Sequence, residues 1–232
     1  MSRLFFNLAE GLTNIATAFY SLHSVLKTIK AVLILFSGSN EVGPVYDIED
    51  GLKHTGVMKS SLEFMLTQPG VVQLAITQYI APLPYLEALK RLPPGTLGRE
   101  YAEFVVRHGF DPNFYRKMET NDISSYLLLR LRQTHDIWHV ITGFDINVPD
   151  EIGLKAFELA QTRRPVAGVL VTGGFIKSFL SSNDVSTMLA AIGKGYRMGL
   201  QAQPLLAQKW EDQWEKPLHE LQAELGILNV AQ

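Results

Sequence analysis

The chain of 232 residues contains no cysteine. This absence excludes disulfides, iron–sulfur clusters and thiolate metal sites, so any metal must be held by nitrogen and oxygen atoms alone. An excess of charge of either sign is also missing, because 21 Lys and Arg stand against 23 Asp and Glu, for a formal net charge of −2. A nucleic-acid partner normally leaves a basic footprint, and no run of Lys or Arg occurs. We therefore expect no nucleic-acid partner.

A convincing membrane-spanning run is absent as well. Residues 4–36 are largely apolar and residues 11–26 carry no formal charge, but polar side chains interrupt them and Glu10 and Lys27 bound them. This pattern is too polar for a confident span and favours a buried or dimer-forming helix, with a helix lying against lipid as the alternative. Neither a signal peptide nor a transit peptide is evident. We expect a cytoplasmic protein, with peripheral contact at the inner face of a membrane as an option.

What is present is helical periodicity through most of the chain, with 47% hydrophobic residues and no convincing strand hairpin or internal repeat. The sequence predicts an all-α fold, a single-domain multi-helix bundle over residues 1–232. Residues 1–56 are expected to form an N-terminal helix and then a loop from residue 38, and residues 57–228 the core. Helices are expected near 57–67, 70–80, 96–107, 122–143, 150–165, 184–204 and 205–226.

The densest group of chemically active side chains is His135-Asp136-Ile137-Trp138-His139, followed by Glu151. Each helical residue advances about 100°, so with His135 at zero, His139 lies near ~40° and Asp136 near ~100°. An i, i+4 histidine pair is the device that helical zinc sites use. Antiparallel packing of the next helix would bring Glu151 back toward His139. The four residues are candidate metal ligands and candidate catalytic residues.

Ligand type alone does not choose the metal. Two imidazoles with one or two carboxylates suit Zn²⁺, Mn²⁺, Fe²⁺ or Co²⁺, and Mg²⁺ is compatible if carboxylates dominate. At most four protein ligands leave a position for water or substrate. Two alternatives stay open: the His135–His139 pair is structural, or Glu151 only caps its helix. Arg132, one turn before Asp136, binds an anionic substrate head group or forms a salt bridge with Asp136.

The His-Asp-x-x-His-x₁₁-Glu pattern of residues 135–151 resembles the signature of the Coq4 family of ubiquinone-biosynthesis proteins. Three further segments are similar to that family: residues 92–101 (LPPGTLGREY), the Arg130-x-Arg132 pair, and residues 210–218 (WEDQWEKPL). The resemblance covers roughly residues 57–228.

This resemblance implies an all-helical fold and a divalent metal held by His135, Asp136, His139 and Glu151. It also implies a polyprenylated aromatic ligand, an isoprenoid or prenylquinone-type lipid, oxidative decarboxylation at ring carbon C1, and other quinone-biosynthesis proteins as partners. A homodimer is expected. The competing hypothesis is a non-catalytic lipid-binding scaffold. A helical phosphohydrolase of the His-Asp type fits less well, because that class spreads its ligands over distant helices.

Overall fold

The structure is a computed structural model that describes residues 27, 30, 43–53, 55–181 and 184–227. Every regular element among those residues is a helix, which confirms the predicted all-α class. The chain divides into two compact units, Met1–Lys59 and Ser60–Gln232, and each is described by itself. The predicted core of 57–228 nearly coincides with the second unit. That the whole chain forms a single domain stays a prediction.

The first unit contains a helix where a loop was expected. Helix α1 spans Gly43–Leu52. It places Asp47 and Asp50 one turn apart, and the Lys27 Nζ lies 3.1 and 3.8 Å from their carboxylates. The loop prediction is wrong: Pro44 lies in the first turn, where its fixed φ suits a helix, and Ile48 is buried. The N-terminal helix predicted over residues 4–36 falls almost entirely outside the described residues.

The remaining helices follow the predicted order closely. They are α2 (Gly56–Thr67), α3 (Val71–Thr77), α4 (Leu86–Leu89), α5 (Leu97–His108), α6 (Ile123–Thr142), α7 (Val148–Thr162), α8 (Pro165–Leu180), α9 (Val185–Gln201) and α10 (Leu218–Glu224). Two short 3₁₀ turns, Leu205–Ala207 and Trp210–Asp212, lie between α9 and α10. None of the helices in the described part of the chain is long and apolar enough to cross a membrane.

Helix α6 is the central element for the site, and local signals define both of its ends. Asp122 accepts a hydrogen bond from the Ser125 backbone N–H while the Ser125 hydroxyl accepts one from Asp122, which is a reciprocal N-terminal cap. Gly143 ends the helix with φ 73°, a conformation that costs glycine least. Its apolar side chains, Leu127 and Trp138 among them, are buried in the core.

Pro165 ends one helix and begins another. Helix α7 stops at Thr162, and Arg163 reverses the chain with φ 54°. Pro165 then occupies the first turn of α8, where its missing N–H costs nothing. The sequence assigns no helix to residues 165–180, because α8 is apolar nearly all round and therefore lacks an amphipathic period.

Helices α7 and α9 approach each other through glycines. A Cβ added to Gly195 would lie 1.9 Å from the Gly153 carbonyl oxygen, and one added to Gly199 would lie 2.6 Å from the Phe157 oxygen. The backbones can meet at this distance only because no side chain separates them. Helix α9 therefore supports α7 from behind and fixes the position of the residues that α7 carries.

The family-like segments lie against one another. The Leu97 and Gly98 N–H groups donate to the carbonyls of Lys216 and Trp214 at 2.9 and 2.8 Å, and Leu218 N–H donates to Gly95 at 2.7 Å. Residues 92–101 and 210–218 thus pair by backbone hydrogen bonds without forming a strand. A Cβ on Gly98 would lie 3.0 Å from the Trp214 oxygen, which explains the glycine there.

The Arg130-x-Arg132 pair is joined to the 210–218 segment by a buried ion pair. The guanidinium of Arg130 on α6 donates two hydrogen bonds to the Glu211 carboxylate, at 2.7 and 2.8 Å, and a third to the Gln208 carbonyl. Only 1% of the Arg130 side chain is exposed. Because both charges are desolvated, removing either partner would leave an uncompensated buried charge. The ion pair connects α6 to the segment that begins at Trp210.

Candidate metal site

Three of the four predicted ligands meet at one point between α6 and α7. His135 Nε2 lies 3.5 Å and His139 Nε2 3.1 Å from the two oxygens of Glu151. One ligand atom from each of the three residues lies within 4.8 Å of the others. The histidines are one turn apart on α6, and Glu151 lies in the first turn of α7, after the short turn that begins at Gly143. The predicted return of Glu151 toward His139 is therefore what the structure shows.

A backbone hydrogen bond orients His139. Its Nδ1 lies 3.0 Å from the Phe144 carbonyl oxygen, which can only accept, so Nδ1 carries the proton in the neutral ring. In the neutral ring, Nε2 then carries the lone pair that a metal would bind, whereas in the protonated ring Nε2 donates a hydrogen bond to the Glu151 carboxylate, 3.1 Å away. The Phe104 ring stacks on the imidazole at 5.4 Å between ring centroids. A hydrogen bond on the far nitrogen is the usual support of a metal-binding histidine.

One side of the site is open and the other is buried. The side chain of His139 is 2% exposed, whereas those of His135 and Glu151 are 31% and 36% exposed. Burial would raise the pKa of Glu151, but its hydrogen bonds to both histidines outweigh that effect and hold the pKa well below its usual value. Burial, aided by the positive charge of Lys155, lowers the pKa of His135. These directions favour an ionised carboxylate and a neutral imidazole, the forms that bind metals.

Asp136 is not part of the group that the structure brings together. Among the described residues, the group whose ligand atoms all lie within 4.8 Å of one another consists of His135, His139 and Glu151. Asp136 follows His135 directly on α6, and its negative charge acts on the Tyr101 hydroxyl. Burial first, and then the charge of Asp136, raise the pKa of that tyrosine above its usual value. Asp136 as a fourth ligand stays a prediction.

Arg132 makes a contact that the sequence does not predict. Its guanidinium donates a hydrogen bond at 2.8 Å to the backbone carbonyl of Arg116, in the segment between α5 and α6. This bond secures that segment against α6. Its predicted role in binding an anionic head group stays a prediction.

The sequence analysis did not identify a group of charged residues next to Glu151. Lys155 Nζ lies 3.1 Å from Glu158 and 4.0 Å from Glu151, and Arg164 forms an ion pair with Glu158. Burial would raise the pKa of Glu158, but Lys155 and Arg164 lower it to about 2. The signal was available, because residues spaced i, i+4 and i, i+3 on a helix, as Glu151, Lys155 and Glu158 are, lie side by side.

The donor set fits a divalent metal. Two neutral imidazole nitrogens and one carboxylate suit Zn²⁺, Mn²⁺, Fe²⁺ or Co²⁺. The hydrogen bond on His139 Nδ1 directs Nε2 to the common point, and the opposed carboxylate supplies negative charge there. Three protein ligands also leave coordination positions for a ligand on the open side, as a catalytic metal requires.

The fold and this site define a class: an all-helical protein with a His-His-Glu group on two successive helices. Comparison with known proteins gives the family. Residues 75–231 match the model of the family described as "Coenzyme Q (ubiquinone) biosynthesis protein Coq4". The chain therefore belongs to the Coq4 family, as the resemblance indicated.

Individual relatives agree. The chain is 35% identical over 141 residues to a mitochondrial ubiquinone biosynthesis protein, coq4, of Botryotinia fuckeliana, covering 60% of this chain and 50% of the relative. It is 34% identical over 155 residues to the corresponding Uncinocarpus reesii protein, covering 66% and 54%. The chain thus spans about half the length of the curated relatives it matches. It also resembles the crystal structure of a Nostoc punctiforme protein whose name links it to ubiquinone biosynthesis. The TM-score is 0.80 and the identity 33%, over 88% of this chain and 96% of the other.

The predicted cytoplasmic location is wrong. Curated relatives, among them those of Botryotinia fuckeliana, Uncinocarpus reesii and Neurospora crassa, are named as mitochondrial proteins. The prediction rested on the lack of a recognisable targeting segment. Such a lack carries no information about location in a chain that spans about half the length of those relatives.

Proposed function

We propose that the protein is a metal-dependent enzyme of ubiquinone biosynthesis that removes the carboxyl group from C1 of a polyprenylated hydroxybenzoate-type ring. The convergence of His135, His139 and Glu151 on one point, open on one side, carries this proposal. Membership of the Coq4 family supports a role in ubiquinone biosynthesis. The reaction and the substrate are the parts that we add.

The overall change replaces the ring carboxyl group by a hydroxyl group. The bond between C1 and the carboxyl carbon breaks and carbon dioxide leaves, while a bond between C1 and oxygen forms. If dioxygen supplies that oxygen atom, a two-electron donor and two protons reduce the other oxygen atom to water, and the reaction balances. A divalent metal, when bound, would act as a Lewis acid on the carboxylate and a neighbouring oxygen of the ring.

The residues of the chain would hold the metal and direct the ring. His139, fixed by the Phe144 carbonyl, is the rigid ligand. His135 and Glu151 are the ligands on the exposed side, where the ring would approach. Asp136 as a fourth ligand stays a prediction, which the Asp136→Asn variant tests. Arg132 as a contact of the anionic head group also stays a prediction.

Metal analysis and turnover test the proposal together. Native mass spectrometry with elemental analysis of the purified protein should report a divalent metal, the oligomer and any co-purified lipid. We expect His135→Ala and Glu151→Ala to lose the metal and ring decarboxylation while far-ultraviolet circular dichroism stays unchanged. His219→Ala, an exposed histidine on α10, is the matched control and should keep both. Full quinone production by His135→Ala in a complementation assay would reject the proposal.

The second candidate function is a lipid-binding scaffold without turnover. It is favoured by the exposed apolar end of α8, where Phe179 and Leu180 are 67% and 75% exposed. Contact with an apolar prenyl chain is more favourable for such a surface than contact with water. The scaffold predicts stoichiometric binding of a prenylated hydroxybenzoate with no carbon dioxide release. Release of carbon dioxide by the isolated, metal-loaded protein would reject it.

The setting of the activity is also proposed. The mitochondrial names of the relatives favour the mitochondrion as the place of action. Association with other quinone-biosynthesis proteins, a homodimer and contact with a membrane surface stay predictions. Size-exclusion chromatography with light scattering would settle the dimer, because it measures the mass in solution.

A further inference from the structure

A largely buried lysine lies beside Glu151, one of the two more exposed ligands of the candidate metal site. Lys155 follows Glu151 by one turn of α7, and its Nζ is 4.0 Å from a Glu151 oxygen. The same Nζ donates a hydrogen bond at 3.1 Å to Glu158. The side chain is only 14% exposed, so its charge is poorly screened by water.

Neutralising Glu158 does not require this lysine. Arg164 already forms an ion pair with Glu158, and both side chains are more than nine-tenths buried. Lys155, the second cation beside the Glu158 carboxylate, is therefore available for another interaction. Its position between Glu158 and Glu151 directs it toward the metal site.

The charges of the linked group also point to a missing anion. Glu151 and Glu158 contribute two negative charges, and Lys155 and Arg164 two positive charges, so the group is balanced while both histidines are neutral. A divalent metal would add two positive charges to a site that is shielded from water on the side of His139. An excess of this kind is costly unless an anion accompanies it. The ligand that binds beside the metal should therefore be negatively charged.

We propose that Lys155 is a second anchor for the anionic head group of the ligand, beside the metal. The proposal rests on the proposed function, because it requires the metal. Within the described part of the chain, the hydrogen bond to Glu158 is the one that Lys155 donates, and the Glu151 oxygen at 4.0 Å lies beyond hydrogen-bond range. An ammonium group has three N–H donors, so it can also donate to a ligand carboxylate.

Cobalt-loaded protein provides the test, because cobalt reports ligand binding through its visible absorption. The probes are 4-hydroxybenzoate and its neutral counterpart 4-hydroxybenzyl alcohol. We expect Lys155→Gln, whose amide can still donate to Glu158, to bind Co²⁺ at least as tightly as the wild type. Its Kd for 4-hydroxybenzoate should rise by about 10-fold or more, while that for the alcohol changes little. Lys155→Arg should restore benzoate binding to within about 3-fold of the wild type, because it keeps the charge.

The control is Lys90→Gln, which removes a lysine paired with Glu87 at 2.8 Å on the surface of α4. It should leave both affinities unchanged. Normal cobalt binding with an unchanged benzoate Kd in Lys155→Gln would overturn the role of Lys155 alone. Failure of the wild type to bind Co²⁺ would instead reject the metal site, and the anchor with it.

A second measurement does not depend on the stability of Lys155→Gln. Zinc-loaded protein with ¹⁵N-labelled lysine should show an ammonium resonance of Lys155, identified by its loss in Lys155→Arg. Adding 4-hydroxybenzoate should shift that resonance, and adding the alcohol should not. An ammonium resonance that stays in place at saturating benzoate would contradict the proposal.

Discussion

At the scale of the residue, the structure separates the two carboxylates that the sequence motif offers to a metal. Glu151 faces both imidazoles at 3.5 and 3.1 Å, whereas Asp136 lies outside the group of nearby ligand atoms. We therefore expect Glu151→Gln to weaken Zn²⁺ binding by more than about 100-fold and Asp136→Asn by less than about 10-fold. Competition with a chromophoric chelator measures both.

Glu87→Gln is the control for this comparison, since it neutralises a surface glutamate that is paired with Lys90. It should not alter Zn²⁺ affinity. Equal losses in Glu151→Gln and Asp136→Asn would show that the Asp136 side chain joins the metal when it binds.

The residue types and spacing were sufficient to predict most of the site. The i, i+4 rule places His135 and His139 on one face, and a short turn returns Glu151 to them. Sequence could not reveal the Phe144 carbonyl, because a backbone acceptor has no side-chain signature. Nor did the sequence show which of the two carboxylates, Asp136 or Glu151, faces the imidazoles. Asp136 lies only about 100° round the helix from His135, so its direction depends on the packing of neighbouring elements.

At the scale of the element, the contact between α7 and α9 depends on the absence of a side chain at Gly195. We expect Gly195→Ala to destabilise the protein by about 1–3 kcal/mol or more, because its Cβ would lie 1.9 Å from the Gly153 backbone oxygen, which cannot rotate away. Gly193→Ala in the same helix meets only the flexible Arg197 guanidinium at 3.2 Å. That variant should be neutral or stabilised by up to about 1 kcal/mol, because alanine favours the helix.

Urea unfolding followed by circular dichroism measures both glycine variants. A Gly195→Ala protein as stable as Gly193→Ala would show that the two helices are not in backbone contact. The result bears on the site as well, because α9 supports the helix that carries Glu151.

The buried pairs of Glu158 make a second element-scale prediction. Its pKa is lowered from 4.5 to about 2, mainly by Lys155 and Arg164 acting against burial. Because the folded-state pKa lies below the unfolded-state value, this stabilisation is complete above about pH 4.5 and is lost as the pH falls toward 2. It amounts to about 3 kcal/mol at neutral pH.

Urea unfolding at a series of pH values tests that contribution. Glu158→Gln should be less stable than the wild type by about 3 kcal/mol at pH 7, and the difference should shrink as the pH falls below about 4.5. Glu119→Gln, on an exposed segment, should follow the wild-type curve. A Glu158→Gln curve parallel to that of the wild type would mean that the carboxylate is not held ionised by its neighbours.

At the scale of the whole molecule, periodicity and caps predicted the helical class and most helices of the second unit. Asp122 and Gly143 defined α6 through local chemistry that sequence displays. Helix α8 was missed because an element that is apolar nearly all round has no period to read. The pairing of residues 92–101 with 210–218 is a contact across more than a hundred residues, and no local pattern encodes it.

Metal binding should couple the site to the stability of the molecule, because its ligands come from two helices. An ion that binds only the folded protein stabilises it by about 2.7 kcal/mol at a free concentration of 100 times its Kd. For a chain of this size we expect Tm to rise by roughly 5–10 °C. Scanning calorimetry with and without Zn²⁺ measures the shift, and a chelator should reverse it. His139→Ala should show no shift, and His219→Ala, changed at an exposed position, the full shift. A rise in Tm that persists in His139→Ala would place the stabilising ion somewhere other than between α6 and α7.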